Sequence, residues 1–172
     1  MASRRFDTYT FDDGDIPNSA FPVLVYHGAL DPAAGAAAYE DLFAGNGWLG
    51  AWRNGIFPFH HFHSTAHEVL GIARGTAGVM LGGPQGRRFD LSAGDVVVLP
   101  AGTGHCNAGS SADLLVVGAY PNGMEWDLRR GDPAERGEVL ANIDRVPMLD
   151  HDPVAGANGP AVKLWRAVRR GY

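Results

Sequence analysis

The sequence predicts an all-β fold with two flanking helices, and three observations support this fold class. Its 172 residues include 24 glycines and 11 prolines, which favour short strands and turns over long helices. Short segments rich in β-branched and aromatic residues follow one another at close spacing, as in a barrel or a sandwich. Asp-Pro pairs stand where the two helices are expected to begin, with Asp as N-cap and Pro at the first helical position.

The first third of the chain predicts an arm, a strand and a helix. Residues 1–20 are polar and predict an extended N-terminal arm. In the following segment, residues 21–54, the stretch FPVLVYH at 21–27 predicts a strand. Asp31-Pro32 predicts the start of a helix, which the glycines near residue 45 end.

The remaining chain predicts a strand-rich core, residues 55–120, and a final segment, residues 121–172. Strands are expected at 56–63, 67–73, 76–82, 87–91, 95–99 and 113–120, with a tight hairpin at 82–86. The second helix is expected to run from Asp132-Pro133 to Pro147, and a short apolar segment near the end is expected to pack back on the barrel. At this length the whole chain, 1–172, predicts a single domain.

Composition excludes several classes of partner. The net charge is −5, and the sequence has no basic stripe that could follow a nucleic-acid backbone. It contains no run of about 18 apolar residues and no apolar stretch near its start, so we expect no membrane association and a cytoplasmic location. Cys106 is the one cysteine, which excludes an internal disulfide.

A histidine-rich stretch predicts a metal site. His61 and His63 are two residues apart, so on a strand both rings project to the same face. A turn after His63 would bring the Glu68 carboxylate to them. Two imidazoles and a carboxylate suit one divalent transition metal ion, Mn, Fe, Co, Ni or Zn.

A distant histidine completes the predicted site. The stretch GDVVVLPAGTGH, residues 94–105, predicts an apolar strand and a Pro-x-Gly turn that delivers His105. With this third imidazole, an octahedral ion would keep up to two positions for water or substrate. A three-histidine site on one hairpin, formed by His61, His63 and His67, is an alternative.

Both stretches resemble the motifs of the cupin family. Gly55, His61, His63, Glu68 and Gly75 match the spacing of the first cupin motif at every defined position. Gly94, Pro100, Gly102 and His105 match most of the second, although the asparagine usual four residues after the histidine is replaced by Gly109. The likeness to single-domain YjlB-type bacterial cupins covers nearly the whole chain. It implies a cupin-type antiparallel jelly-roll β-barrel with the metal inside one end.

The alternation of side chains along a strand predicts which neighbours of the metal ligands face the barrel interior. His60 and His67 have the opposite parity, so we expect them to point away from the interior and to act as supporting or proton-transfer residues. Phe57, Phe59, Leu70 and Asn107 share the ligands' parity and are candidate pocket residues. A zinc-protease helix motif at His67-Glu68 is excluded, because Gly71 stands where it requires a histidine.

Two classes of function follow from this pattern. The first is a metal-dependent enzyme acting on a small organic molecule, by dioxygenase-like or Lewis-acid chemistry such as decarboxylation or isomerisation. The second is a non-catalytic barrel that binds a small ligand or holds a storage, sensor or structural metal. In both, a small molecule is the expected ligand and a homodimer the expected assembly.

Overall fold

Antiparallel strands form most of the protein. The computed structural model describes residues 4–171, and in this range the strands are β1 Phe6–Tyr9, β2 Val23–Tyr26, β3 Trp48–Asn54, β4 Glu68–Arg74, β5 Thr76–Leu81, β6 Arg87–Ser92, β7 Val96–Leu99, β8 His105–Ser110 and β9 Leu115–Pro121. The helices are α1 Ala36–Gly45, a 3-10 turn at Pro133–Glu135, α2 Arg136–Arg145 and α3 Pro160–Arg169. The predicted all-β class is confirmed.

The strands of residues 4–171 form two sheets that face each other. One has the order β1-β2-β7-β4-β9-β3 and the other the order β6-β5-β8, with antiparallel pairing throughout. This is the jelly-roll arrangement that the cupin resemblance implied. The predicted homodimer concerns a second chain, and it stays a prediction.

The larger sheet is apolar on both faces, which explains why β2 and β7 are buried at every position. One core cluster lies between the two sheets and includes Leu70 and Val97. A second lies between the outer face and helices α1 and α3, and includes Phe43 and Trp165. The larger sheet is therefore the middle layer, and the histidine-rich site lies on the side that faces the smaller sheet.

Most predicted strands are confirmed, but the segment 56–63 is not a strand. It makes only isolated bridges, His61 with His105 and Phe62 with Arg129. The strand in this region is β3, which ends at Asn54, and Pro58 lacks the N–H that a ladder needs. Strand β8, which begins at His105, was not predicted.

The helices also depart from prediction in two places. Helix α1 begins at Ala36 and not at Pro32, because Asp31 accepts a hydrogen bond from the Ala33 N–H in a turn and Gly35 adopts φ +81°. Residues 4–171 contain three α-helices and not two, since the apolar segment near the end forms α3. The second predicted helix is confirmed: Asp132 caps the 3-10 turn that leads into α2.

Within residues 4–171, every helix is too short or too polar to cross a membrane.

Candidate metal centre

Three histidines converge at one end of the space between the sheets. His61, His63 and His105 are buried, and each offers a ring nitrogen within 4.8 Å of those of the other two. The rings of His61 and His105 are 4.1 Å apart between centroids. The sequence placed these residues in one site, and the structure brings them together. The alternative trio containing His67 is wrong.

Backbone hydrogen bonds hold the cluster across a long sequence separation. The His61 N–H donates to the His105 carbonyl at 3.1 Å, and the His105 N–H donates back at 2.8 Å. The Gly102 N–H donates to the His63 carbonyl at 2.8 Å. The isolated bridge between His61 and His105 stands in place of the predicted strand. It also places the His61 and His63 rings on the same side, as the strand would have done.

The hydrogen bonds of the three rings define their tautomers. Nδ1 of His61 lies 2.9 Å from the Phe59 carbonyl, Nδ1 of His105 lies 3.0 Å from the Thr103 carbonyl, and Nδ1 of His63 contacts the Asp127 carbonyl. A carbonyl oxygen only accepts, so each Nδ1 carries the hydrogen. In a neutral ring the Nε2 atom then presents a lone pair, which is how protein histidines are prepared to bind metal.

Glu68, the first residue of β4, faces two of these nitrogens. Its Oε2 lies 3.2 Å from His63 Nε2, and its Oε1 lies 3.2 Å from His105 Nε2. In the described part of the chain, His105 Nε2 is a buried nitrogen with no hydrogen-bond partner of good geometry. Carboxylate oxygens and imidazole lone pairs repel each other unless a proton or a cation lies between them.

The pKa values of the site residues also indicate that a positive charge is favoured beside Glu68. Burial opposes charging of His63, but the neighbouring Glu68 carboxylate raises its pKa. Burial also opposes ionisation of Glu68, but positive charge beside it, which a proton or a cation on the His63 and His105 side would supply, holds its pKa below the usual range. Burial, and then the charge of His105, lowers the pKa of His61 to about 3, so its ring is neutral.

The donor set therefore fits a divalent transition metal. Three neutral imidazole nitrogens and one carboxylate oxygen are ligands of the type that Mn, Fe, Co, Ni and Zn accept. A cation here would satisfy the orphaned His105 nitrogen and separate Glu68 from the lone pairs around it. The three buried histidines can bind a metal, and the carboxylate is placed to complete the set.

The four donors line a cavity of about 530 Å³. Its other lining residues are mostly aromatic or apolar: Gly50, Trp52, Asn54, Gly55, Ile56, Phe57, Pro58, Leu70, Tyr120 and Trp126. The volume is within the range of about 300–1,000 Å³ that small-molecule pockets usually have.

Two of the four predicted pocket residues line this cavity and two do not. Phe57 and Leu70 are in the lining. Phe59 instead stacks on Phe57 at 4.9 Å and carries the Arg130 guanidinium on its ring. Asn107 is occupied locally, since its amide donates to Ser110 and accepts from the Gly109 N–H. The parity argument failed for Phe59 because residues 56–60 are not a strand.

Three aromatic lining residues were not predicted to face the site. Trp52 lies on β3, and its indole N–H donates to the Tyr120 hydroxyl oxygen at 2.8 Å. Tyr120 lies near the end of β9, while Trp126 lies in the segment that follows. The inward side of β9, which alternation in VVGAYP defines, could have indicated Tyr120; nothing local indicates Trp126.

The two histidines predicted to support the site lie elsewhere. His67 is buried on the other side of the larger sheet against Trp165, at 4.8 Å between ring centroids. Its Nδ1 accepts from the Ala101 N–H and its Nε2 donates to the Pro147 carbonyl. Burial lowers its pKa to about 4. His60 is half-buried, and neither residue lines the cavity within the described chain, so neither is placed to transfer a proton there.

Comparison with known proteins gives one near relative and several distant ones. A family model described as Cupin matches residues 51–123. A Bacillus subtilis (strain 168) protein named "Uncharacterized protein YjlB" is 40% identical over 164 residues, which cover 94% of this chain and 98% of that protein.

Solved structures show more distant likeness. A cadmium-containing acireductone dioxygenase from Bacillus anthracis has 17% identity and a TM-score of 0.38, over 69% of this chain and 80% of that one. The formate complex of Lactobacillus farciminis oxalate decarboxylase has 19% identity and a TM-score of 0.39, over 83% of this chain and 41% of that one. Both similarities are too low to transfer an activity.

Proposed function

Because the chain belongs to the cupin family, in the group that includes the Bacillus subtilis relative, we propose that it is a metal-dependent enzyme acting on a small organic molecule. The metal-binding character follows from the three converging histidines. The observation that supports catalysis is the position of the donors. His61, His63, Glu68 and His105 all line a cavity large enough for a substrate, whereas a purely structural ion is normally enclosed by its ligands.

The four donors would hold the ion at the cavity wall. When bound, a divalent ion supplies Lewis acidity toward an oxygen-bearing substrate or, if redox-active, chemistry with O₂. The three Nδ1–H bonds to backbone carbonyls keep the rings in the orientation and tautomer that this requires.

Among the described residues that line the cavity, Tyr120 is the one that carries a hydroxyl group. Burial, and then the charge of Glu68, raises the pKa of its phenol, so the group stays protonated. Because Trp52 donates to the phenol oxygen, the phenol hydrogen is available to a substrate oxygen or to Glu68. Tyr120 is therefore a donor that orients the substrate, and Glu68 is the carboxylate that completes the ligand set of the ion.

The inner walls of this region are apolar. Ile56, Leu70 and the indole of Trp52 offer no hydrogen bonds to solvent beyond the one that Trp52 already makes. Electrostatic interactions beside apolar walls are stronger than in bulk water. The arrangement suits a reaction in which charge develops on a substrate oxygen, as in dioxygenation, decarboxylation or isomerisation.

The test begins with elemental analysis of protein purified without a metal-affinity column. The metal-loaded protein is then incubated with a pool of small organic acids and phenols, with and without O₂, and substrate loss is followed by mass spectrometry. We expect turnover that is lost in His63→Ala and kept in His151→Ala, a matched control because His151 is an exposed histidine outside the cavity.

A different result would favour the second function class. Mn-loaded protein is assayed by water-proton relaxation, which reports exchangeable water on the ion. Bound metal without exchangeable water, together with no turnover in the pool, would support a non-catalytic barrel with a structural metal and contradict the enzyme proposal.

A further inference from the structure

Two large aromatic side chains are exposed at the mouth of the cavity, together with Gly50, Asn54 and Pro58. In residues 4–171 the exposed large apolar side chains are Leu49, Phe57, Trp126, Leu128 and Leu140. Of these, Phe57 and Trp126, each 46% exposed, line the cavity. An apolar ligand that covered both rings would remove this surface from water, which favours binding.

Each of these rings also contacts a metal-site histidine. Phe57 makes an edge contact with His61 at 5.3 Å between centroids, and Trp126 makes one with His63 at 5.2 Å. A ligand that reaches the donors from outside therefore passes along both rings. A ligand that binds at the metal-site donors would therefore also contact the Phe57 and Trp126 rings.

The inner wall continues the aromatic lining. Tyr120 lies nearly parallel to Trp126, at 19° and 6.1 Å between centroids. Trp52 lies flat over Gly118, where a Cβ atom would come within 2.2 Å of the indole. Since its N–H is bonded to Tyr120, the indole is held in place before any ligand binds. Preorganised aromatic walls favour a planar ligand with a π face.

The charge of the lining limits the charge of the ligand. Among the described lining residues there is no lysine or arginine, and Glu68 is the one carboxylate. A divalent ion together with ionised Glu68 gives the site a net charge of plus one. A monoanion would neutralise this charge, which favours its binding over that of a neutral ligand of the same shape.

We propose that the cavity binds a planar aromatic monoanion, an arene carboxylate or a phenolate, with its oxygen toward the three histidines and its ring against Phe57 and Trp126. This substrate class rests on the proposed metal-dependent function. The oxygen replaces solvent at the donors, and the Tyr120 hydroxyl is placed to donate a hydrogen bond to it.

The test is titration calorimetry of protein loaded with Zn²⁺, after elemental analysis has verified loading. Three probes separate shape from charge: benzoate, cyclohexanecarboxylate and benzamide. We expect benzoate to bind most tightly and cyclohexanecarboxylate, which has the same charge but no π face, to bind about 3- to 10-fold more weakly. Benzamide, which has the same ring but no charge, is expected to bind more weakly than benzoate, and removal of Zn²⁺ is expected to weaken benzoate binding.

Substitutions at the mouth of the cavity test whether the ring of the ligand packs against Trp126 and Phe57. Trp126→Leu and Phe57→Leu keep an apolar side chain at exposed positions, so the fold should persist, which thermal unfolding verifies. Each is expected to weaken benzoate by about 3- to 10-fold and to leave cyclohexanecarboxylate nearly unchanged. Leu140→Ala, at an exposed leucine outside the cavity, is the matched control and should change neither.

The possible outcomes separate this inference from the proposed function. If Zn²⁺ binds but cyclohexanecarboxylate or benzamide matches benzoate, the substrate class is overturned and the metal-dependent function stands. Equal benzoate binding with and without Zn²⁺ would also overturn it, since the anion would then not face the donors. Protein that takes up no metal would overturn both.

Discussion

Two buried carboxylates in this protein have opposite surroundings. Asp152 accepts hydrogen bonds from the Tyr26 hydroxyl at 2.6 Å and from the N–H groups of Val154, Ala155 and Ala161 at 2.8–3.0 Å. Glu68, equally buried, faces two imidazole nitrogens whose hydrogens are on the far side of the rings. Asp152 has every partner it needs, whereas Glu68 lacks a positive charge.

The buried histidines divide in the same way. His67 uses both ring nitrogens on backbone groups, and Trp165 covers it. His63, four positions earlier, uses one nitrogen on a backbone carbonyl and presents the other to the cavity. Burial alone does not distinguish a structural residue from a chemical one. The feature that distinguishes His63 from His67 is a ring nitrogen that faces the cavity and is not bonded to the backbone.

The largest expected effect is on the free energy of unfolding, and it concerns Asp152, the carboxylate with a structural role. Asp152→Ala leaves four donors, three of them buried, without an acceptor, and we expect it to lower the free energy of unfolding by on the order of 4 kcal/mol. Urea unfolding of metal-free protein measures the change. Glu68→Gln, measured in the same way, should cost much less, and equal losses would break the comparison.

Removing a metal-site histidine should give the next largest effect. His63→Ala is expected to lose most of the bound metal, and with it the stabilisation that metal gives the folded state, about 2.7 kcal/mol at a 100-fold excess over Kd. Elemental analysis and thermal unfolding with and without chelator measure both. The His67→Gln variant should retain its metal. If it loses metal as the His63→Ala variant does, the distinction between a structural His67 and a metal-binding His63 is wrong.

The pH dependence of stability should sharpen the contrast for His67. Its pKa, about 4 in the folded protein, is below the unfolded value of 6.5, so the unfolded chain takes up the proton first as the pH falls. Stability is therefore lost from about pH 6.5 down to pH 4, with roughly 2 kcal/mol of the loss between pH 7 and 5.

Comparison with a non-titrating residue isolates this contribution. His67→Gln can still accept from Ala101 and donate to Pro147, but it does not titrate in this range. In metal-free protein its unfolding free energy should fall less between pH 7 and 5 than that of the unchanged chain. Identical pH profiles would mean that His67 is not held neutral.

The donor residues were predictable because their spacing and the cupin resemblance identify them together. His61, His63, Glu68 and His105 meet although the segment 56–63 is not a strand, since the two-way bridge between His61 and His105 orients the rings instead. The buried strands β2, β4 and β7 were predicted from their apolar composition. Helix α3 was missed, although its buried Ala161, Val162 and Trp165 have helical spacing.

The partners that complete the site could not be predicted in this way. Trp126 and the Asp127 carbonyl reach the site from a loop after β9, whose sequence has no periodicity to show which way it folds. The same is true of Pro147, whose carbonyl satisfies His67. These contacts depend on the path of loops in three dimensions, which local patterns do not determine.

The smallest expected effect concerns Asp127, which links that loop to the metal site. Its backbone carbonyl orients His63, and its side chain accepts from the Ser64 N–H at 2.6 Å, from the Ser64 hydroxyl and from Arg129 at 2.7 Å. Partial burial opposes ionisation, but these partners, Arg129 first, lower its pKa to about 2.

Asp127→Asn keeps the carbonyl but weakens the bonds that hold it in place, so we expect metal affinity to fall by about 10-fold, the lower end of the range for residues that support a ligand. Competition with a chromogenic chelator measures the change, and Asp90→Asn, at an exposed aspartate paired with Arg88 on the surface, is the control. An affinity equal to that of the control would mean that the loop does not position His63. A loss as large as that in His63→Ala would mean that Asp127 acts on more than this one ring.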